Sequence, residues 1–173
     1  MCIRDRDYGE RSLAVAVTPQ DQDIALGVKA AALVLLRRTD EGAALLEEQR
    51  NRIVANGDLW NLSGSDPVLG VCRVLQGEIG NGIRLLEQAI IAREKDGYND
   101  LADWSRLFLV EVLLQIVSGK EKLPFRVLLK NLPTLLRVMA TASSRIRTLT
   151  TRTLENSHFD SAGQHIGLSL IHI

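Results

Sequence analysis

An all-α architecture of stacked antiparallel helical hairpins, with no sheet, is what this sequence predicts. Three observations carry the prediction. Leu69 to Gly97 reads as one hairpin, with Leu69-Gly70 in a first helix, Gly77 at the turn, and Gly82, Leu86 and Ala89 in a second. Small residues let two helix axes approach, and a leucine from one helix fills the groove of the other. The unit also recurs 40 residues earlier: Gly42-Ala43-Ala44-Leu45-Leu46-Glu47 lies over Gly82-Ile83-Arg84-Leu85-Leu86-Glu87, and Gly57 lies over Gly97. Such a period belongs to hairpins that cannot bury an apolar face alone and therefore stack, with a non-repetitive helical bundle as the alternative. Lastly, only 4% of residues are aromatic and only 4 of 173 are proline, so strong helix formers dominate.

The elements follow in order. Residues 7–17 fit the last helix of an upstream unit. Thr18-Pro19-Gln20-Asp21 is a helix start, with Thr18 as cap, Pro19 in the first turn and Asp21 at the positive end of the dipole. The helix runs to about residue 38, with Ile24, Val28, Ala31 and Leu35 on one side and Ala32 and Leu36 widening it. Thr39 or Asp40 caps the next helix, which ends at Asn56 because Gly57 takes the left-handed conformation. Asp58 to Asp66 reads as a loop, and Asp66-Pro67 as the start of a helix over 67–76. After Gly77 a helix spans 79–96 and stops at Gly97. Asn99 or Asp100 opens a helix over 100–117, closed by Gly119. Pro124 starts another, and Pro133 should kink or break it near Asn131-Leu132, since a mid-helix proline costs about 3 kcal/mol. Helix then resumes to about Ala142, a separate helix covers about 143–156, and Ser157 to Gly167 is a loop. The apolar surface at that end of the array is expected to be open.

The two ends read differently from the rest. Met1-Cys2-Ile3-Arg4-Asp5-Arg6 and Leu168-Ser169-Leu170-Ile171-His172-Ile173 can be encoded by the two strands of one inverted repeat, which resembles a transposase-end library adaptor. We therefore expect residues 1–6 and 168–173 to be adaptor-derived scars, and residues 7–167 to be an internal helical-repeat fragment of a longer protein. Cys72 is then the single natural cysteine, which excludes a disulfide framework and points to a reducing, cytoplasmic compartment. The formal net charge is zero, so no global basic signature for nucleic acid exists. Asp103, Arg106 and Glu111 interrupt the most apolar stretch, and no transmembrane segment is expected.

Candidate chemistry is sparse. Gly77-Glu78-Ile79-Gly80-Asn81-Gly82 has neither a preceding strand nor a Gly-Lys-Ser/Thr ending, and Glu78 would repel an anion; a turn with small packing residues fits better than a phosphate cradle. Ser118-Gly119-Lys120 fails the same test. Cys72, between Val71 and Leu75 on an apolar helix, reads as a core residue rather than a nucleophile. His158 and His165 flank Asp160 in the last loop, a poor metal signature. Asn61-Leu62-Ser63 matches a glycosylation acceptor, which means little without secretion, and Glu47, Glu48 and Glu87 read as solvated charges. No catalytic, cofactor-binding or metal residue is assigned, and no cofactor is implied. One charge feature stands out: Lys122, Arg126, Lys130, Arg137, Arg145, Arg147 and Arg152 occur between 122 and 154 with no acid among them. Such a segment docks on the acidic array before it, or offers a face to an acidic partner, a phosphate or an anionic membrane.

The hairpin residues also carry a resemblance. Trp104 and Leu107 stand three apart, as in the Trp-x-x-Leu opening of a tetratricopeptide repeat, with Phe108 where that pattern prefers Gly. Together with Glu78 to Ile83, Leu85 to Ile90, Arg93 to Tyr98, Ala102 to Leu109, Glu111-Val112, Ser118 to Lys122, Leu128 to Asn131, Phe159-Asp160, Gly163 and His165 to Gly167, the chain resembles the C-terminal tetratricopeptide region of bacterial multidomain class III adenylate/guanylate cyclases. The resemblance implies a TPR-like α-solenoid that regulates cyclase and ATPase domains of the same parent chain through a protein or peptide partner. The metal-binding aspartates of such a cyclase have no counterpart here, so no catalytic residue is carried over. A repeat sensor domain of an ATPase-type transcriptional regulator is the alternative.

Overall fold

The structure, a computed structural model, describes residues 10–57, 59–119 and 123–156. Among these every regular element is an α-helix: a helical stretch at residues 10–15, then α1 (Pro19–Leu35), α2 (Thr39–Asn56), α3 (Leu59–Leu75), α4 (Ile79–Lys95), α5 (Asn99–Ser118) and α6 (Phe125–Glu155). The expected adaptor-derived ends, the loop over 157–167 and the His158, Asp160 and His165 group lie outside the described residues.

The turns set the architecture. The left-handed position recurs every 20 residues, at Arg37 (φ 61°), Gly57 (69°), Gly77 (82°) and Gly97 (79°). After α1, the Arg38 amide donates to the Leu33 carbonyl (2.9 Å) and the Arg37 amide to Val34 (3.0 Å). After α3, 40 residues on, Glu78 donates to Arg73 (2.8 Å) and Gly77 to Val74 (2.9 Å), so the same two bonds satisfy the last carbonyls of both helices. Three-residue connections this tight, after α1, α3 and α4, send the next helix back along its predecessor. Each helix packs on the next, and α1 also touches α3, α3 touches α5 and α4 touches α6.

Arg37 does at one turn what glycine does at the other three. Its left-handed backbone costs roughly 1–2 kcal/mol, which glycine avoids at a smaller entropic cost. Arg37→Gly is therefore expected to raise stability by up to about 1 kcal/mol, read as an upward shift of the urea midpoint; a lower midpoint would show that the arginine side chain outweighs the strain.

Packing obeys the same 40-residue register. One buried cluster joins Ala43, Leu46, Leu69 and Cys72 to Ala30 and Val34. The other contains their counterparts Ile83, Leu86, Leu109 and Val112, together with Ile79, Ile90, Leu113, Val138 and Ala142. Leu46 and Leu86 are both fully buried. Gly42 lies against Ala30 and Val34 of α1, and Gly82 against Gly70 and Val74 of α3, so each glycine brings its helix onto the preceding one at the same place.

Both internal prolines behave differently from expectation. The residues read as a loop before Pro67 are helical: α3 starts at Leu59 and runs through Pro67. Proline withholds one amide from the carbonyl four residues back, at a local cost of about 3 kcal/mol. That cost is outweighed because α3 is packed on four other helices, with Ser65 buried and Asp66 held by Arg50 Nε at 2.9 Å. Likewise α6 is one helix of 31 residues, with Pro133 inside it and no break at 142–143. Asn131, where the kink was expected, is buried, and its Nδ2 donates both to the Val127 carbonyl and to the Gly77 carbonyl of the α3–α4 turn, each at 2.8 Å. The Asn131 bond to that turn fixes the helix on both sides of the expected interruption.

Caps divide similarly. Thr18 and Asp21 form the reciprocal capping box at the start of α1, and these bonds hold the Asp21 carboxyl below its ordinary range. Thr39 and Asn99, by contrast, are already helical; Arg38 and Tyr98 occupy the cap positions and make no side-chain cap bond.

Candidate functional site

The 40-residue register places equivalent side chains of α1, α3 and α5 on one face. Ile24, Val28, Ala31 and Leu35 of α1 correspond to Gly64, Val68, Val71 and Leu75 of α3, and to Trp104, Phe108, Glu111 and Gln115 of α5. Three helices that touch in the order α1, α3, α5 bring the 31/71/111 and 35/75/115 positions, with Val68, Trp104 and Phe108, around one groove. Its central cavity of about 120 Å³ is lined by Ala31, Leu35, Val68, Val71, Trp104 and Phe108 among others, with Arg37, Glu111 and Gln115 as polar groups. Of the α1 stripe read from sequence as that helix's apolar side, Ala31 and Leu35 are half-buried and line the cavity, while Ile24 and Val28 are exposed. The core face of α1 is instead Leu26, Ala30, Leu33 and Val34.

An aromatic pair shapes the groove: Trp104 and Phe108, one turn apart on α5, stand with ring centroids 6.5 Å apart and form one wall. Gly64, the α3 counterpart of Trp104, is exposed, and a Cβ there would meet nothing. Phe108 is equivalent to Val68, and the counterpart of Gly70 is Val110; Phe108 is therefore a wall residue and not a divergent packing glycine. A cavity of about 120 Å³ is below the several hundred Å³ of an ordinary small-molecule site and suits one or two apolar side chains.

The glycine-rich run has a packing role. The Gly77 and Glu78 amides are taken by Val74 and Arg73, so they are not directed at an anion. Gly77 faces Val127 and Gly80 faces Thr134, which lets α6 cross the start of α4 closely, while Gly82 does the same for α3. Cys72 is fully buried, and desolvation pushes its thiol up to about 12, against a weaker opposing pull from Arg73. A neutral, enclosed thiol is a poor nucleophile. The Asn61-Leu62-Ser63 acceptor sequence lies within α3.

Ionic groups concentrate between α4, α5 and α6. Arg106, only 2% exposed, is paired with Asp103 on its own helix and with Glu94 of α4 at 2.5 Å; Arg152 of α6 reaches Glu94 at 3.4 Å. Asp103 is fully buried. A polar cleft of about 340 Å³ beside them is lined by Glu94, Asn99, Arg106, Arg152, Glu155 and Asn156. Its two arginines converge on the protein's own Glu94, so the charges are already spent on fold cohesion.

The other glutamates expected to be solvated are partly engaged as well. Glu47 pairs with Arg73, and Glu87 with Arg145 at 2.5 Å. Two arginines of the basic segment, Arg145 and Arg152, thus dock on Glu87 and Glu94 of α4, the internal use foreseen for it. Arg126, Lys130, Arg137 and Arg147 find no acidic partner among the described residues.

Among the described residues no group of three or more His, Cys, Asp or Glu could hold a metal ion, and no helix is long and apolar enough to cross a membrane. Comparison with family models, with curated proteins and with solved structures returns no match.

Proposed function

We propose that this chain is a non-catalytic, TPR-like α-solenoid module of a bacterial cytoplasmic signalling protein, which binds a protein or peptide segment in the groove across α1, α3 and α5. The observation that carries this reading is the groove's construction from the equivalent positions 31/71/111 and 35/75/115, with Val68 and Phe108 at a third, on three successive odd-numbered helices. A stack of such units offers a continuous recognition surface without requiring a catalytic pocket. The apolar lining with a few polar groups suits bulky apolar side chains spaced along a peptide. The resemblance to the C-terminal region of class III adenylate/guanylate cyclases supplies the proposed setting: occupancy of the groove biases catalytic domains elsewhere in the parent chain. Such coupling requires two states that the ligand distinguishes.

A displayed peptide library selected against the purified protein tests the binding reading. Enriched peptides are expected to carry apolar anchors, and to lose affinity about tenfold or more with Val71→Glu or Trp104→Ala, hot-spot-sized effects. Selection of no sequence, or peptides indifferent to both substitutions, would dismiss the groove. Cyclase turnover of the parent chain with and without Val71→Glu tests the setting separately.

A further inference from the structure

A second apolar surface, at the end of the array where an open one is expected, lies outside the proposed groove. Along α6, Phe125, Leu129, Leu132, Leu136 and Met139 are 47–72% exposed. Their spacings of four, three, four and three residues are those of a coiled-coil seam. Buried residues of the same helix, Asn131, Val138 and Ala142, form a different stripe, which holds α6 on the rest of the protein. Beside the seam lies an apolar cleft of about 500 Å³ lined by Val74, Leu75, Ile116, Leu128, Leu135 and Met139. The seam therefore has both a ridge and an adjoining hole.

The charges choose the occupant. Arg126, Lys130 and Arg137 each immediately follow a seam residue, Phe125, Leu129 and Leu136, so at about 100° per residue all three fall on one flank. All three are exposed and have no acidic partner among the described residues. From Phe125 to Leu154 the helix contains no acid. A second copy of α6 laid along this seam would bring like charges together. A membrane-surface helix presents a broad apolar face with basic residues on its polar side, whereas here one flank of the seam is occupied by the protein's own core. A partner helix needs only the seam and a single flank.

We infer that α6 docks an acidic amphipathic helix of a partner protein, its apolar stripe on Phe125, Leu129, Leu132, Leu136 and Met139 and its carboxylates facing Arg126, Lys130 and Arg137. The probe is a labelled synthetic helix of roughly 21 residues, three heptads, with leucine at a and d and glutamate at the flanking positions; a second version carries lysine instead. In anisotropy titrations the glutamate probe is expected to bind saturably and more weakly as salt rises. Leu132→Gln with Leu136→Gln should weaken it about tenfold or more, as loss of two seam anchors implies. Lys130→Glu with Arg137→Glu should do likewise and transfer preference to the lysine probe. These side chains are exposed, and circular dichroism of each variant checks that the helices persist. Trp104→Ala, in the groove, should leave probe affinity unchanged, which separates this face from that reading. Equal binding of both probes, or no binding, overturns the proposal. Binding to vesicles of equal phosphatidylserine and phosphatidylcholine without probe binding would assign the face to a membrane instead, and self-association abolished by Leu136→Gln would assign it to a second copy.

Discussion

Arg106→Leu is expected to remove about 3–5 kcal/mol of stability, the cost of breaking a buried ion pair from one side. The guanidinium is 2% exposed and answers two carboxylates, Asp103 on α5 and Glu94 on α4. Glu94 is one-third exposed and can recover water, but Asp103 is sealed in, so its charge is what the variant leaves uncompensated. Urea unfolding of the two proteins reads the difference. The double variant Asp103→Leu with Arg106→Leu should recover most of the loss, because an apolar pair in the same space has no charge to strand. A single-variant loss below about 1 kcal/mol, the size of an exposed pair, would mean that water reaches this cluster.

Gly82→Ala is expected to destabilise by roughly 2–3 kcal/mol even though alanine is the better helix former by about 1 kcal/mol. An added Cβ would overlap the Gly70 carbonyl oxygen and come within 2.5 Å of Val74 Cγ2 and 2.9 Å of Val74 N. Two of those three obstacles are backbone, so α4 must move away from α3 and loosen the cluster around Leu86. Gly42→Ala, at the equivalent position, meets Val34 Cγ2 at 2.8 Å and the Ala30 carbonyl at 3.1 Å, and should cost less. Gly64→Ala faces open space and should be neutral or stabilising. Thermal midpoints of the three variants test the order. Equal effects at 42 and 82 would contradict the tighter approach of α4 to α3.

Where sequence reasoning worked, the governing energy was local or was repeated in register. Thr18 with Asp21, and the glycines at 57, 77, 97 and 119, announce a cap and turns that depend on a few neighbouring atoms. The alignment of Gly42 with Gly82 and Leu46 with Leu86 held because both pairs occupy the same packing position. It failed where a local penalty met a packed surface: Pro67 and Pro133 each disrupt one turn's bonding, yet the helices around them continue. The left-handed turn at Arg37 was missed because no glycine marks it; the 40-residue offset from Gly77 was the signal that could have found it.

The candidate site shows the same division. Ile24, Val28, Ala31 and Leu35 were legible as an apolar stripe, since helical periodicity alone aligns them. Whether such a stripe is buried depends on which helix stands in front of it. The sequence by itself determined helix-forming segments, turn glycines and a 40-residue hairpin period, because those follow from backbone conformation and side-chain spacing. Only the tertiary structure decided that α1, α3 and α5 leave a groove between them, that two arginines of α6 anchor it to α4, and that the open apolar surface at this end is the stripe of Phe125, Leu129, Leu132, Leu136 and Met139. Burial and charge pairing are properties of what faces a residue, and that is fixed by the docking of distant helices.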